Sequence, residues 1–511
     1  MLRAHGDDLN NIPTQGILNK IPVWGAKVLK ECDKITILSQ KDYFRGLFFV
    51  KNLLKYAFIV LFKKLYQINS IILKSKYKYS MERYGEILLI AMPAFLLLVF
   101  FEKWYGWYKG KDTYHNMDMV SSLSSGVSNV VKDVLGLSVS ILTYDWMVSH
   151  VAIWHIESTF WTFFIAFIVL DFEGYWVHRI AHQVNFFWNK HAIHHSSEDF
   201  NLACALRQSV SSFVNLFTFF LLPAAMLGVP TEVIGIVAPL HLFAQFWYHT
   251  QHIGRMGILE KIIVTPSHHR VHHAINPEYM DKNISQIFIF WDKIFGTFQE
   301  ELPDVPPVYG ITRPAQTWNP ITINFQHLWL LIQDAWRARS WWDKLRIWFM
   351  PTGWRPADVD AAYPVHKIED VYHFERFQTP ASTTLNTWIW IQFAWTTILV
   401  FYFFGHLGDI AAADLLVYGG FIFLTIYSYS ELMDGNPHAL WWEILKSGLG
   451  LYWIWSSGDW FGISHMLTGA QYAIALYLIL SAGVTVYFRP PAKAGGNSKA
   501  EGNSKAEGFL G

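Results

Sequence analysis

The chain has 511 residues, 52% of them hydrophobic and 17% aromatic, with only 16% charged and a formal net charge of zero. That balance excludes a disordered chain and a nucleic-acid partner, and it makes lipid part of the solvent. Two cysteines, Cys32 and Cys204, exclude a disulfide scaffold, a Cys-ligated zinc module and an all-thiolate iron–sulfur cluster.

The neutral total conceals an uneven chain. Residues 1–80 hold 14 Lys/Arg against 5 Asp/Glu, so the remainder carries 26 against 35. No early apolar stretch ends in a small-residue cleavage site, so this basic segment does not read as a signal peptide. Within it, LFFVKNLLKYAFIVLF (47–62) is interrupted by Lys51 and Lys55, the pattern of an interfacial or marginal helix. The composition changes at Met81. Residues 1–80 are therefore expected to be an interfacial extension or a segment that is not native to the folded protein.

From Met81 onward the pattern predicts an all-α integral membrane protein with roughly eight to nine transmembrane helices and a cytosolic, His-rich cap. Spans are expected at 84–101, about 134–153, 158–176, 209–228, 231–248, about 384–404, 411–427, 440–456 and 466–488. Gly228-Val229-Pro230 reads as a tight turn between two of them, and Glu443 and Lys446 weaken the span at 440–456. The stretch 286–383 has nine Lys/Arg and no credible span, which places it in the cytoplasm, and four later spans return the basic tail to that side. The histidines before and after the hairpin 209–248 then share the cytoplasmic face of an inner membrane or endoplasmic reticulum. The chain divides accordingly into 81–300, a Trp/Arg-rich cytosolic segment 301–383, a four-helix membrane region 384–488, and a small polar tail 489–511, expected to be disordered. Within 327–350, Trp and Leu alternate with Arg and Lys at helical spacing, which suits either a packed cytosolic helix or one lying among headgroups.

Twelve of the 22 histidines fall between His178 and His273, where even spreading would place about four. They form spaced clusters: His178 and His182; His191, His194 and His195; His269, His272 and His273. Residues three and four apart share a helix face, so each cluster can aim its imidazoles at one point. One zinc takes about four ligands, so eight or more imidazoles at one membrane face fit two metal ions. His249 is a further ligand candidate at the mouth of the returning helix. His252, His268, His241, Asp171, Glu198 and Asn201 are candidates for the metal or for its supporting hydrogen bonds, and Arg207 for scaffold or substrate contact. Aromatic helices 158–176, 209–228 and 231–248 are expected to wall the lipid slot.

The pattern H-x3-H, H-x2-H-H, H-x2-H-H on a multi-span chain resembles the fatty acid hydroxylase/sterol desaturase superfamily of membrane non-haem diiron oxygenases. DFEGYWVHRIAH (171–182), WNKHAIHHSSEDFNLACALRQS (188–209), FWYHT (246–250), TPSHHRVHH (265–273) and DKNISQIFIFWDKIFGTF (281–298) look like the alkylglycerol monooxygenase family within it, as do YGITRPAQTWNP (309–320) and FMPTGWRP (349–356). The resemblance implies that 81–300 is the catalytic domain and that the eight clustered histidines and His249 hold two irons. It implies O2 as oxidant and hydroxylation of an unactivated lipid C–H bond, in this branch the ether carbon of an alkylglycerol. No catalytic residue beyond the metal ligands is expected. The branch uses tetrahydrobiopterin, but Gln183 stands where its animal members carry Glu, and Gln251 where a second Glu is expected. A neutral amide can neither ion-pair nor take the proton as a carboxylate would.

No Gly-rich dinucleotide fingerprint, haem-attachment motif or cysteine array occurs, so electrons are expected from a separate reductase, cytochrome, ferredoxin or pterin. Two alternatives remain. Desaturation of a sterol or acyl chain would use the same site, and a metal transporter would also gather histidines, though nearer mid-membrane.

Overall fold

The computed structural model describes residues 78–137, 139–140, 143–212, 214–215 and 217–488. The expectations for the basic extension up to residue 77, including its helix at 47–62, and for the tail 489–511 lie outside the described residues. The regular elements among the described residues are almost all helices. The exception is a two-residue parallel pairing of β1 (Val139–Ser140) with β2 (Val214–Asn215).

In chain order, the first half contains α1 (Lys78–Tyr108), α2 (Asn116–Val134), α3 (Tyr144–Val151), α4 (Phe160–Gln183), α5 (Asn185–His195), α6 (Leu222–Met226) and α7 (Thr231–Phe243). After these come α8 (Pro266–His272), α9 (Phe290–Phe295), α10 (Pro320–Arg337), α11 (Trp341–Arg346) and α12 (Ala357–Ala362). The last part contains α13 (Thr383–Gly405), α14 (Ala412–Met433), α15 (Ala439–Ser457), α16 (Ile463–Met466) and α17 (Ala470–Phe488).

Five of these, α1 from Tyr84, α4, α13, α14 and α17, are long and apolar enough to cross a membrane, fewer than the eight to nine expected. The differences have local causes. The stretch 134–153 breaks because α2 ends at Gly136, whose φ of 61° is left-handed, and Thr143 caps a new eight-residue helix. The hairpin 209–248 is shallow. Its first limb is a short 3-10 turn followed by the five-residue α6, and α7, with Pro239 inside it, has 13 residues. That gives α7 about 20 Å of length against a hydrocarbon core of about 30 Å. The turn between the limbs is as expected: Gly228 has φ 73°, and a Cβ there would lie 1.7 Å from the Trp154 carbonyl oxygen.

α1 is apolar on every side and leaves Ile90, Leu97 and Phe101 exposed, which a chain tolerates where the surroundings are also apolar. Its end carries exposed Trp104, Trp107 and Tyr108, the residue types enriched where a span meets headgroups. α1, α2 and the C-terminal helices share one large core. α2 lies at its centre, with five buried serines, two of which donate to backbone carbonyls four residues earlier. A smaller core joins α3, α4, α6 and α7.

Candidate metal centre

Three helices, α4, α5 and α8, deliver most of the imidazoles. On α4 the buried stripe runs through Ala166, Leu170, Asp171, Gly174, Tyr175, His178, Ala181 and His182, so the face that packs on protein is the face that ends in histidine. Val184 adopts an extended backbone, and after it α5 presents His191, His194 and His195. α8 starts from a Thr265 capping box with Pro266 at its first position and presents His269 and His272, with His273 at its end. His249 comes from the segment after α7.

The nitrogens collect in two groups: His178, His182, His191, His195 and His272 in one, His194, His249, His269 and His273 in the other, each spanning at most 4.8 Å. Ligands about 2.1 Å from an ion lie at most about 4.2 Å apart, so each group can close on one ion with little movement. The groups adjoin: the rings of His195 and His273 stack at 4.3 Å between centroids, and those of His269 and His272 at 5.1 Å.

Outward nitrogens are tied down. His178 Nδ1 donates to the Ile284 carbonyl (2.6 Å), His272 Nδ1 to that of Lys282 (3.0 Å), His194 Nδ1 to that of Arg207 (3.3 Å) and His249 Nδ1 to that of Gln245 (3.0 Å). His182 Nδ1 donates to the Asp281 carboxylate at 3.1 Å. A carbonyl only accepts, so the proton sits on Nδ1 and the inward Nε2 is a bare lone pair. Two such lone pairs, on His194 and His249, face each other at 3.3 Å and cannot hydrogen-bond. His182 Nε2 and His272 Nε2 are buried with no partner at all. Burial first, then the neighbouring imidazoles, holds His194 down to about 3 and His191, His195, His249, His269, His272 and His273 well below the ordinary range. The rings are therefore neutral, the five anchored ones turn a lone pair inward, and among the described residues no carboxylate joins either group. This donor set fits iron.

The structure thus brings together all nine histidines expected as ligands and leaves out the six weaker candidates. Asp171 does not orient a ligand imidazole. Its carboxylate accepts from His241 Nε2, the Ile287 and Phe288 amides and Trp291 Nε1, pinning α4 to the segment before α9 and using up His241 in doing so. His268 Nδ1 closes the cap of its own helix. His252 packs edge-on against Tyr105. Glu198 accepts from the Phe377 amide, and burial pushes its carboxyl up to about 7. Asn201 bonds the Thr113 carbonyl and the Ala203 and Cys204 amides. Arg207 is scaffold: buried, it bonds Asp118, Ser122 and Ser196, which holds its carbonyl under His194.

The supporting residues went unread in the sequence because most act through backbone. Asp292 accepts from the Ile284 and Ser285 amides and from Thr297, shaping the loop whose carbonyls meet His178 and His272. That loop also holds Asp281 and Asn283 at φ 55° and 52°, a conformation Asp and Asn tolerate better than most residues. This Asp/Asn pair, separated by one residue, was the one available signal.

A cavity of about 340 Å³ adjoins both groups through His182, His195, His272 and His273. Its other walls come mainly from α5, α10 and the loops 310–313 and 352–355, not from the stretches 158–176, 209–228 and 231–248 expected to form the slot. The short 222–243 helices pack instead on α3 and α4.

Comparisons with known proteins cover the region that holds these histidines. The fatty acid hydroxylase family model matches residues 163–297. Alkylglycerol monooxygenase from Homo sapiens is 35% identical over 360 residues, 70% of this chain and 80% of that protein. The Xenopus tropicalis protein of the same name is 33% identical over 361 residues, 70% and 80% of the two chains. More distantly, a Delta(7)-sterol 5(6)-desaturase from Aspergillus fumigatus is 30% identical over 144 residues, 27% of this chain and 38% of its own. No solved structure gives a significant match. With the nine histidines and these likenesses together, the chain belongs to the fatty acid hydroxylase family, in the group of the alkylglycerol monooxygenases.

Proposed function

We propose that this chain is an integral membrane lipid hydroxylase with two irons, which uses O2 and external electrons to hydroxylate an unactivated C–H bond, in the first instance the ether carbon of an alkylglycerol. The reading rests on one observation: two adjoining groups of buried imidazoles in which five rings, His178, His182, His194, His249 and His272, bond outward through Nδ1 and so turn an Nε2 lone pair inward. His178, His182, His191, His195 and His272 would hold one iron and His194, His249, His269 and His273 the other. Iron bound there supplies the redox chemistry that turns O2 on a C–H bond. The protein's part is orientation. Backbone carbonyls fix the rings of His178, His194, His249 and His272, Trp188 and Phe200 pack beside the two groups, and the adjoining cavity gives a substrate carbon a place against the imidazoles. The cluster lies at the C-terminal end of α4, the face read as cytoplasmic. Gln183 is exposed and neutral, which favours an electron donor other than the pterin.

Anaerobic iron quantitation followed by O2-dependent turnover of an ether lipid, a sterol and a fatty acid side by side tests this. Two tightly held irons per chain and an oxygenated ether-lipid product are expected. Loosely exchangeable zinc with no O2 consumption would overturn the reading. The Aspergillus desaturase similarity favours a second outcome at the same site, a sterol or acyl product with a new double bond.

A further inference from the structure

The cavity beside the histidines is unevenly charged. Among the charged side chains lining it, Arg313, Arg355 and Lys367 are cations and Asp281 is the one carboxylate, which is already bonded to His182. Arg355 is neutralised twice over: its Nε and one terminal nitrogen reach both oxygens of buried Asp334 at 2.6 and 2.9 Å, and the other reaches Asp360 at 2.7 Å. Both Asp334 oxygens are thereby engaged by Arg355, and the attraction Asp334 still exerts on Arg313 is smaller than the burial and the second guanidinium that oppose the Arg313 charge. Arg313 has no hydrogen bond and no ion pair among the described residues, and it is largely desolvated beside a second guanidinium, which disfavours its charge. Lys367, at the cavity rim, is likewise without a carboxylate partner among the described residues. A partly buried guanidinium with no hydrogen-bonded counter-ion is a ready site for an anion. The remaining lining is mostly apolar, including Ile323, Leu330, Leu331 and Trp354.

We propose that this cavity binds an amphiphile with an anionic phosphate or carboxylate, the anion at Arg313 and the apolar body running toward the histidines. The proposal deepens the hydroxylase reading by naming a class of ligand for its site, and it rests on that reading only for the ligand's fate, not for its binding. The anion can arrive on a lipid headgroup or as a free soluble ion, and the test separates these. The full chain in zwitterionic nanodiscs is titrated by equilibrium dialysis with three probes: 1-O-hexadecylglycerol 3-phosphate, neutral 1-O-hexadecylglycerol and inorganic phosphate. At least tenfold tighter binding of the phosphorylated lipid than of the neutral one, erased by Arg313→Gln and partly kept by Arg313→Lys, supports the headgroup source. Inorganic phosphate that binds the wild type and not Arg313→Gln supports the soluble source. Equal binding of both lipids with no phosphate binding, or a preference untouched in Arg313→Gln, overturns the proposal. Should Arg313→Gln fail to fold, Lys367→Gln at the exposed rim is expected to weaken the phosphorylated lipid about threefold, and no change there counts against the site. A chain that shows the preference but hydroxylates nothing keeps this inference and loses the hydroxylase reading.

A different observation carries a second inference. Where α4 ends, the Asn185 amide donates to the Met350 carbonyl and the Phe186 amide to the Trp348 carbonyl, each at 3.0 Å, and Thr352 returns a bond to Gln183. The α10–α11 elbow is thus fastened to the point where a spanning helix stops. It exposes Trp336, Trp341, Trp342, Leu345 and Phe349, with Arg337, Arg339, Lys344 and Arg346 interspersed. Aromatic and basic residues at the end of a span match the headgroup layer. The geometry points to this elbow lying in the headgroup layer of the same bilayer, with the opposite face of α10 turned to the cavity through His327 and Leu331. An environment-sensitive fluorophore on Trp341→Cys, in a background lacking Cys32, tests it in nanodiscs carrying shallow spin-labelled lipid. A blue-shifted emission at least twofold quenched is expected, with Tyr372→Cys remaining aqueous. Water-like, unquenched emission at Trp341→Cys and again at Leu345→Cys would overturn it.

Discussion

The histidine cap and the C-terminal bundle both bury polar side chains, and they complete them in opposite ways. In the bundle, Lys446 and Glu443 meet at 2.7 Å, each almost fully buried. Ser428 and Ser447 donate to Glu443, Lys446 donates to Ser481, and Gln392 joins Ser481 to Tyr477. That circuit is closed: the charges that weakened this span in the sequence are neutralised by each other. In the cap the outer half of each anchored imidazole is equally well bonded, while the inner half is left open. Closed polar networks support a fold, and networks open on one side toward a common point are built to receive something.

Changes on either side break or sharpen the contrast, beginning with the largest effect. His191→Ala in one group or His249→Ala in the other removes an open donor. Each is expected to halve the bound iron, read by elemental analysis, and to cut turnover more than 100-fold, with the thermal midpoint of the metal-free protein little changed. Lys446→Ala opens the closed network and leaves Glu443 buried without its counter-charge, a destabilisation of about 3–5 kcal/mol seen as a lower midpoint in detergent. The double change Glu443→Gln with Lys446→Met should recover most of that loss. Asp292→Ala frees the loop whose carbonyls orient His178 and His272, and iron affinity measured by chelator competition should fall about 10- to 100-fold.

The smallest effect is a pH dependence. His327, bonded to the Asn185 carbonyl at 2.9 Å, is held down to about 4, chiefly by burial, against an ordinary 6.5. Folded protein then binds fewer protons than unfolded between those values. Its contribution is complete above about pH 6.5 and is lost as pH falls toward 4, about 2 kcal/mol by pH 5. Thermal midpoints of wild type and His327→Phe measured at pH 7 and pH 5 should show the wild type falling further.

Eight of the nine ligand candidates were legible because helical spacing alone brings His178 with His182, His191 with His194 and His195, and His269 with His272 and His273 onto common faces; His249 was legible only from its place after the returning apolar stretch. Long apolar runs likewise announced α4, α13, α14 and α17. Two kinds of information were not legible. Apolar content does not state where a helix stops: 209–248 is as hydrophobic as a span but is cut by Pro223, Gly228, Pro230 and Pro239 into pieces too short to cross. The partners of the imidazoles are mostly carbonyls, at Ile284, Lys282, Arg207 and Gln245, and a carbonyl has no letter of its own. Asp171 was recognised as a buried carboxylate, but its four donors come from segments about 70 to 120 positions away in the chain.

α4 has a mechanical consequence. Its first turns expose Phe160, Trp161 and Phe164, and the same rod ends in His178 and His182, with His178 placed 18 residues beyond Phe160, about 27 Å along the axis. Anchor and ligand thus share one rigid ruler with no hinge between them, so the tilt that fits this rod to a given leaflet thickness also sets the height at which two of the nine rings stand.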